Sequence, residues 1–176
     1  KPLTISGPKV LDEIITTQFR WSNTRLGYPL EFIQTNPHHS EVILEKQGVK
    51  VISFPMKHRL PTTGFKVLEK ERKRRLIKEK LEEANPPSEA IKACREGKDY
   101  SSDSGKTYLV DDFAYPEPKL RSYAFCSDTI YDEGLVPYLQ DMSLLYHEST
   151  FMDDQQERAK ITYHSPAREA AKIAKL

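Results

Sequence analysis

Two short apolar runs, Tyr123-Ala124-Phe125-Cys126 and Met142-Ser143-Leu144-Leu145-Tyr146, stop abruptly at polar residues: Ser127-Asp128-Thr129 after the first, His147-Glu148-Ser149-Thr150 after the second. Runs this short, enriched in aromatic residues, read as buried strands. Both end in polar residues of the kind that carry chemistry, and in α/β proteins sites are built in the loops just past strand C-termini, because a rigid sheet holds them in fixed places. His164 precedes Ser165-Pro166, which reads as a helix N-cap followed by proline at the first helical position. Taken singly, His147 and His164 are as readily structural histidines as site residues, whereas Asp128 favours a site. Together the three loops point to one place.

The preceding chain reads as scaffold. Ser6-Gly7-Pro8 breaks an opening strand at Pro2-Leu3-Thr4-Ile5, and Val10, Leu11, Ile14, Ile15 and Phe19 then recur at helical spacing up to Trp21-Ser22. Tyr28 to Ile33 reads as a strand, and Val42-Ile43-Leu44 and Val49 to Phe54 flank Lys46-Gln47-Gly48 as a hairpin. His38 and His39, in the turn before it, have no further ligand at metal spacing and read as solvated loop residues. His58 lies between Pro55 and Phe65, where two prolines and a glycine mark a strand end and a rigid loop. Neutral imidazole is a common metal ligand, but spacing alone favours an ordinary loop histidine here.

From Glu69 to Glu83 charge dominates, and Leu68, Leu76, Ile77 and Leu81 are too sparse for a wide apolar stripe, so the segment is expected to project into solvent. It is either a salt-bridged surface helix or a phosphate-contacting arm, since Arg72, Lys73, Arg74 and Arg75 concentrate positive charge there. Pro86-Pro87 ends it, a helix follows over Ser88 to Arg95, and Gly97 to Gly105 is turn-rich. Pro116-Glu117-Pro118 leads back into the Tyr123 strand, so residues 69–118 read as an insertion between 1–68 and 119–176, two parts of one core. Short helical segments are expected over Tyr131 to Gln140 and Asp153 to Lys160.

Lys plus Arg number 27 against 26 Asp plus Glu in 176 residues, so any nucleic-acid signal must be local, as in the arginine-rich run. Cys94 and Cys126 lack paired ligand spacing, which argues against a disulfide framework or a cysteine-type zinc site and fits a reducing compartment. No apolar run approaches the roughly 18 residues of a membrane span, and no signal-peptide layout opens the chain, so a soluble cytoplasmic protein is expected. The chain begins on Lys1 inside a strand-like run and stops at Leu176 inside an Ala-rich helix, which reads as a piece of a longer polypeptide.

In combination and in this order, the motifs resemble ribonuclease Z, the tRNA 3′-processing endonuclease of the metallo-β-lactamase fold. Ser6-Gly7-Pro8-Lys9 with Tyr28-Pro29-Leu30, Lys57-His58-Arg59 followed by Thr63-Gly64-Phe65, and Ser127-Asp128-Thr129 each resemble a segment of that family. The most telling are His147-Glu148-Ser149-Thr150 and His164-Ser165-Pro166, which are similar to its paired HEAT and HST loops.

The resemblance implies the central portion of an αββα sandwich carrying an inserted exosite-like arm. It implies that His58 ligates one zinc ion and that Asp128 bridges two, consistent with the N and O ligands Zn²⁺ takes. His164 would then sit beside the scissile phosphate, oriented by Glu148 and His147, and the arm with Arg72, Lys73, Arg74 and Arg75 would grip precursor tRNA handled by the other subunit of a homodimer. The family's HxHxDH segment and its last histidine have no counterpart here, so this chain alone is expected neither to hold two metals nor to be active. The arm also reads Pro86-Pro87-Ser88-Glu89 where relatives carry a Gly-Pro turn. Two other readings share these residues: a hydrolase of small phosphodiesters or esters on the same scaffold, and a non-catalytic RNA-binding piece.

Overall fold

The computed structural model describes residues 1–176 and opens on a parallel strand pair, β1 (Leu3–Gly7) with β2 (Leu30–Gln34), in register from Leu3 opposite Leu30 to Gly7 opposite Gln34. Parallel strands need a crossover, and α1 (Leu11–Trp21) supplies it. Leu11, Ile15 and Phe19 form its half-buried face, while Ile14 and Trp21 are exposed. Next come β3 (Glu41–Lys46) and β4 (Val49–Met56), antiparallel and joined by Gln47 and Gly48, whose φ values of 53° and 75° make the two-residue turn that matches strand twist.

β4 runs through Pro55, and β5 (Thr62–Glu69) contains Gly64, so the expected loop from Pro55 to Phe65 shrinks to residues 57–61. Pro55 is tolerated because it lies beyond Ser53, the last residue of β4 paired with β3. Gly64 is a packing residue: a Cβ there would stand 2.5 Å from Cζ of Phe54, so only a bare backbone passes over that ring. The punctuation that suggested a turn is thus a close approach inside a sheet.

Residues 69–120 form one of two compact units, the other being 1–68 with 121–176. In the smaller unit, residues 70–77 form neither helix nor strand, apart from Leu76 bridged to Ala114, and helix begins only at α2 (Lys78–Ala84). Most of residues 69–83 are solvent-exposed, and what is corrected is the reading of the segment as a surface helix, since helix covers only its second half. Main-chain bonds draw it inward: Arg74 N–H donates to Arg95 O at 2.9 Å, Ile77 N–H to Phe113 O at 2.9 Å, and Tyr115 N–H to Arg75 O at 2.8 Å. α3 (Ser88–Arg95), the short hairpin β6 (Tyr100–Ser101) with β7 (Thr107–Tyr108), and α4 (Val110–Phe113) complete the unit around Ala90, Cys94, Tyr108 and Ala114, all buried.

In the larger unit the chain resumes with β8 (Ser122–Cys126), α5 (Val136–Leu139), β9 (Leu144–His147), α6 (Gln156–Thr162) and α7 (Ala167–Lys175). The main sheet has the order β3-β4-β5-β8-β9, with β5 antiparallel to β8 and β8 parallel to β9. Phe54, Met56, Cys126 and Leu135 form its core, with Tyr138 stacked on Phe54 at 5.2 Å between centroids. Burial pushes the Cys126 thiol up to about 12. Pro166, expected at the first helical position, is instead the N-cap of α7, which places Ser165 one residue before the cap, and its hydroxyl donates to Thr129 O. No helix is long and apolar enough to cross a membrane.

Candidate active site

Parallel pairing sets Cys126 opposite His147, so β8 and β9 end at the same edge of the sheet. Glu148, just past β9, donates its N–H to Cys126 O at 2.8 Å and turns its carboxylate inward, leaving the residue 5 % exposed. That carboxylate is fully engaged. Oε1 accepts from Thr129 N–H at 3.2 Å, Ser165 N–H at 3.2 Å and His164 Nδ1 at 2.8 Å, and Oε2 accepts from Thr150 N–H at 2.9 Å. Burial alone would raise its pKa, but bonds from Thr150, His164 and Thr129 outweigh burial and hold it below the ordinary 4.5. Glu148 is therefore ionised at neutral pH.

An ionised carboxylate only accepts, so His164 Nδ1 carries the proton of that bond and Nε2 is left as the second ring nitrogen. The same Nδ1 lies 3.9 Å from Asp128 Oδ1. Two non-glycine residues with positive φ shape this corner: Asp128 at 60° and Tyr163 at 61°. Such conformations are uncommon and persist where surrounding bonds over-determine them. Tyr163 caps α6, and its carbonyl accepts from His58 Nδ1 at 2.9 Å, which leaves the His58 Nε2 lone pair free. The His58 and His164 rings meet edge to face, with centroids 5.0 Å apart.

The fold thus gathers His58, Asp128, Glu148 and His164 from four loops. His147 stands apart from the carboxylate: its Nδ1 donates to the Glu148 carbonyl at 2.8 Å, and its Nε2 is buried without a partner. Thr129 and Ser165, both 0 % exposed, were missed as site residues by the sequence reading. The signal was there, since each is a polar residue directly after a site residue.

No group of three or more His, Cys, Asp or Glu side chains is placed to hold a metal ion. His58, with its free Nε2, and Asp128, whose side chain is 58 % exposed, are donors of the kind Zn²⁺ takes and fit as part of a larger shell.

Of the basic quartet, three are engaged within residues 69–120. Arg72 donates to Lys119 O and pairs with Glu69, Arg74 pairs with Asp111 at 3.2 Å, and Arg75 lies over the Tyr115 ring. Lys73 makes no such contact and is exposed, and it lines one groove with Arg95 and Lys98.

No protein-family model matches the chain. It is 41 % identical over 175 residues to a ribonuclease Z of Cytophaga hutchinsonii, covering 99 % of this chain and 56 % of that protein. To a ribonuclease Z of Porphyromonas gingivalis it is 35 % identical over 173 residues, 98 % of this chain and 57 % of that protein. Among solved structures, human tRNase Z, short form (ELAC1), superposes with a TM-score of 0.61 at 21 % identity, covering 99 % of this chain and 56 % of that one. The metallo-β-lactamase fold protein YhfI from Bacillus subtilis gives 0.51 at 14 % identity, covering 98 % and 47 %.

These superpositions define the class: the chain has an α/β architecture of the metallo-β-lactamase fold. Within that class, its resemblance to ribonuclease Z holds over nearly its whole length. The chain spans about half the length of the curated relatives it matches.

Proposed function

We propose that the chain is part of a tRNA 3′-processing endonuclease that removes the trailer of precursor tRNA on the 3′ side of the acceptor stem. The His164–Glu148 pair carries this reading. A histidine fixed through Nδ1 on a buried, ionised carboxylate keeps Nε2 as its single working nitrogen, which in the doubly protonated ring can pass its proton to the oxygen that leaves a phosphodiester and so return the ring to neutrality. Glu148 is the orienting group, and His147 braces the same loop through the Glu148 carbonyl. His58 and Asp128 would bind Zn²⁺ together with donors from the rest of the full-length protein. Two such ions, when bound, acidify water and neutralise charge on the phosphoryl oxygens.

The exposed cations of residues 69–120 are the second element of the proposal. Such charges contact phosphates irrespective of sequence. Lys73 heads the set, followed by Arg72, Arg74 and Arg75, which would first have to leave their present partners. A homodimer in the cytoplasm fits the same reading, and the two free, buried cysteines suit a reducing compartment.

The test is cleavage by the full-length parent protein. A single cut at the trailer junction, lost on zinc chelation and restored by zinc, is the expected result. Turnover of a small phosphodiester with precursor tRNA left intact overturns the reading in favour of a small-substrate hydrolase.

A further inference from the structure

Ser165 precedes the N-cap of α7, yet its hydroxyl does not serve the helix. It is 0 % exposed and donates instead to Thr129 O at 2.7 Å, across 36 residues of sequence. The peptide plane between Thr129 and Ile130 is held from its other side too, since Ile130 N–H donates to Lys57 O at 2.9 Å. Thr129 N–H, on the peptide that leaves Asp128, donates to Glu148 Oε1 at 3.2 Å. Three bonds from three other loops therefore fix the two peptides that follow Asp128. Asp128 itself adopts a φ of 60°, which an L-residue left free would abandon for more populated regions.

We propose that Ser165 is a positioning residue for Asp128. Its hydroxyl ties the Thr129 carbonyl to the backbone that carries His164, and so sets the 3.9 Å between His164 Nδ1 and Asp128 Oδ1. Without it the Thr129–Ile130 plane keeps only the Lys57 bond and can swing, and Asp128 can leave its left-handed conformation. The assignment rests on the proposed function only in taking Asp128 as a metal donor, because the clamp is a property of the chain itself.

The experiment uses the full-length parent protein and begins with its metal-free form. In Ser165→Ala, amide hydrogen exchange at Thr129 and Ile130 is expected to speed up about tenfold or more, with exchange along β4 unchanged. After loading with Co²⁺, the visible spectrum is expected to shift, and kcat on a small phosphodiester to fall roughly 10–100-fold at unchanged KM, as for loss of a group that orients a metal ligand. Ser165→Thr, which keeps the hydroxyl, should restore the exchange rates and the spectrum. If Ser165→Ala does not fold, Ser165→Cys, similar in shape but a weaker donor, carries the same readouts. Unchanged exchange at Thr129 and Ile130, or a rise spread evenly over the sheet, overturns the proposal. Since exchange does not depend on what is cut, a parent protein that leaves precursor tRNA intact while showing the local change refutes the proposed function and leaves this inference standing.

Discussion

The loop cluster at the end of the main sheet and the charged segment in residues 69–120 use polar residues in opposite ways. Around Glu148 the groups are few, and the buried carboxylate takes four donors, from the buried Thr129 and Ser165, the half-buried His164 and the exposed Thr150. In the smaller unit the charges are many and mostly exposed, and pairs such as Lys78–Glu82 have side chains 83 % and 67 % exposed. Exposed pairs contribute about 0–1 kcal/mol each, whereas loss of a buried partner leaves its donors unpaired at about 1–3 kcal/mol per group. A site that aims one proton needs the first arrangement. A surface that holds a polyanion needs only the second.

Substitutions should separate the two regions by the size and kind of effect. The largest is expected for Asp128→Ala in the full-length parent: cleavage falls far beyond the roughly 10–100-fold of an outer-contact change, while the thermal midpoint falls only modestly, because the side chain is exposed and the cost is that of alanine at a φ of 60°. Near-normal cleavage with two zinc ions per subunit would remove Asp128 from the chemistry. His164→Ala comes next, with metal content kept and kcat down about 10²–10⁴-fold. Zinc lost together with activity, measured by elemental analysis, would make His164 a ligand.

Glu148→Gln should act on stability first, by about 1–3 kcal/mol at pH 7, because at least one donor then faces an amide NH₂. Its pH dependence is specific. The folded carboxyl is held below 4.5, so its contribution is present above that value and lost as pH falls through the folded pKa. Wild type should therefore lose stability on the acid side along a steeper curve than the Gln variant, in thermal melts across that range. Parallel curves would mean that the four donors do not favour the ionised form.

The smallest effect belongs to the charged segment. Lys73→Gln should flatten the dependence of log tRNA affinity on log salt by at most about 0.7–0.9, one phosphate contact. Arg74→Gln should flatten it less, since that guanidinium is already paired with Asp111. The reverse order in salt titrations would show that the ion pair opens on tRNA and that the free-state geometry misleads.

The sequence made some of this visible and hid the rest for physical reasons. The hairpin at Gln47-Gly48 was legible because the signal is local: two apolar runs and a glycine where positive φ is needed. Asp128, Glu148 and His164 were legible as strand-end and helix-start residues. That Glu148 would be the hub was not, because its donors lie 2, 16, 17 and 19 residues away in sequence and meet only in the fold. Gly64 misled because a glycine needed for close packing on Phe54 looks in sequence like a glycine needed for a turn. Lys70 to Ile77 misled as a helix because charge density says nothing about main-chain bonds, and Arg74, Arg75 and Ile77 make theirs with Arg95, Tyr115 and Phe113.

Cys94 and Cys126 are free and buried, and burial raises both thiols, Cys126 to about 12, so neither is a thiolate at neutral pH. Neither thiol of this chain is therefore open to a maleimide. One cysteine introduced at Lys73 and another at Asp154, both exposed positions, would be the reactive pair. Two fluorophores attached there would turn the relation between the two units into a distance read in solution, with and without tRNA, with no background from Cys94 or Cys126.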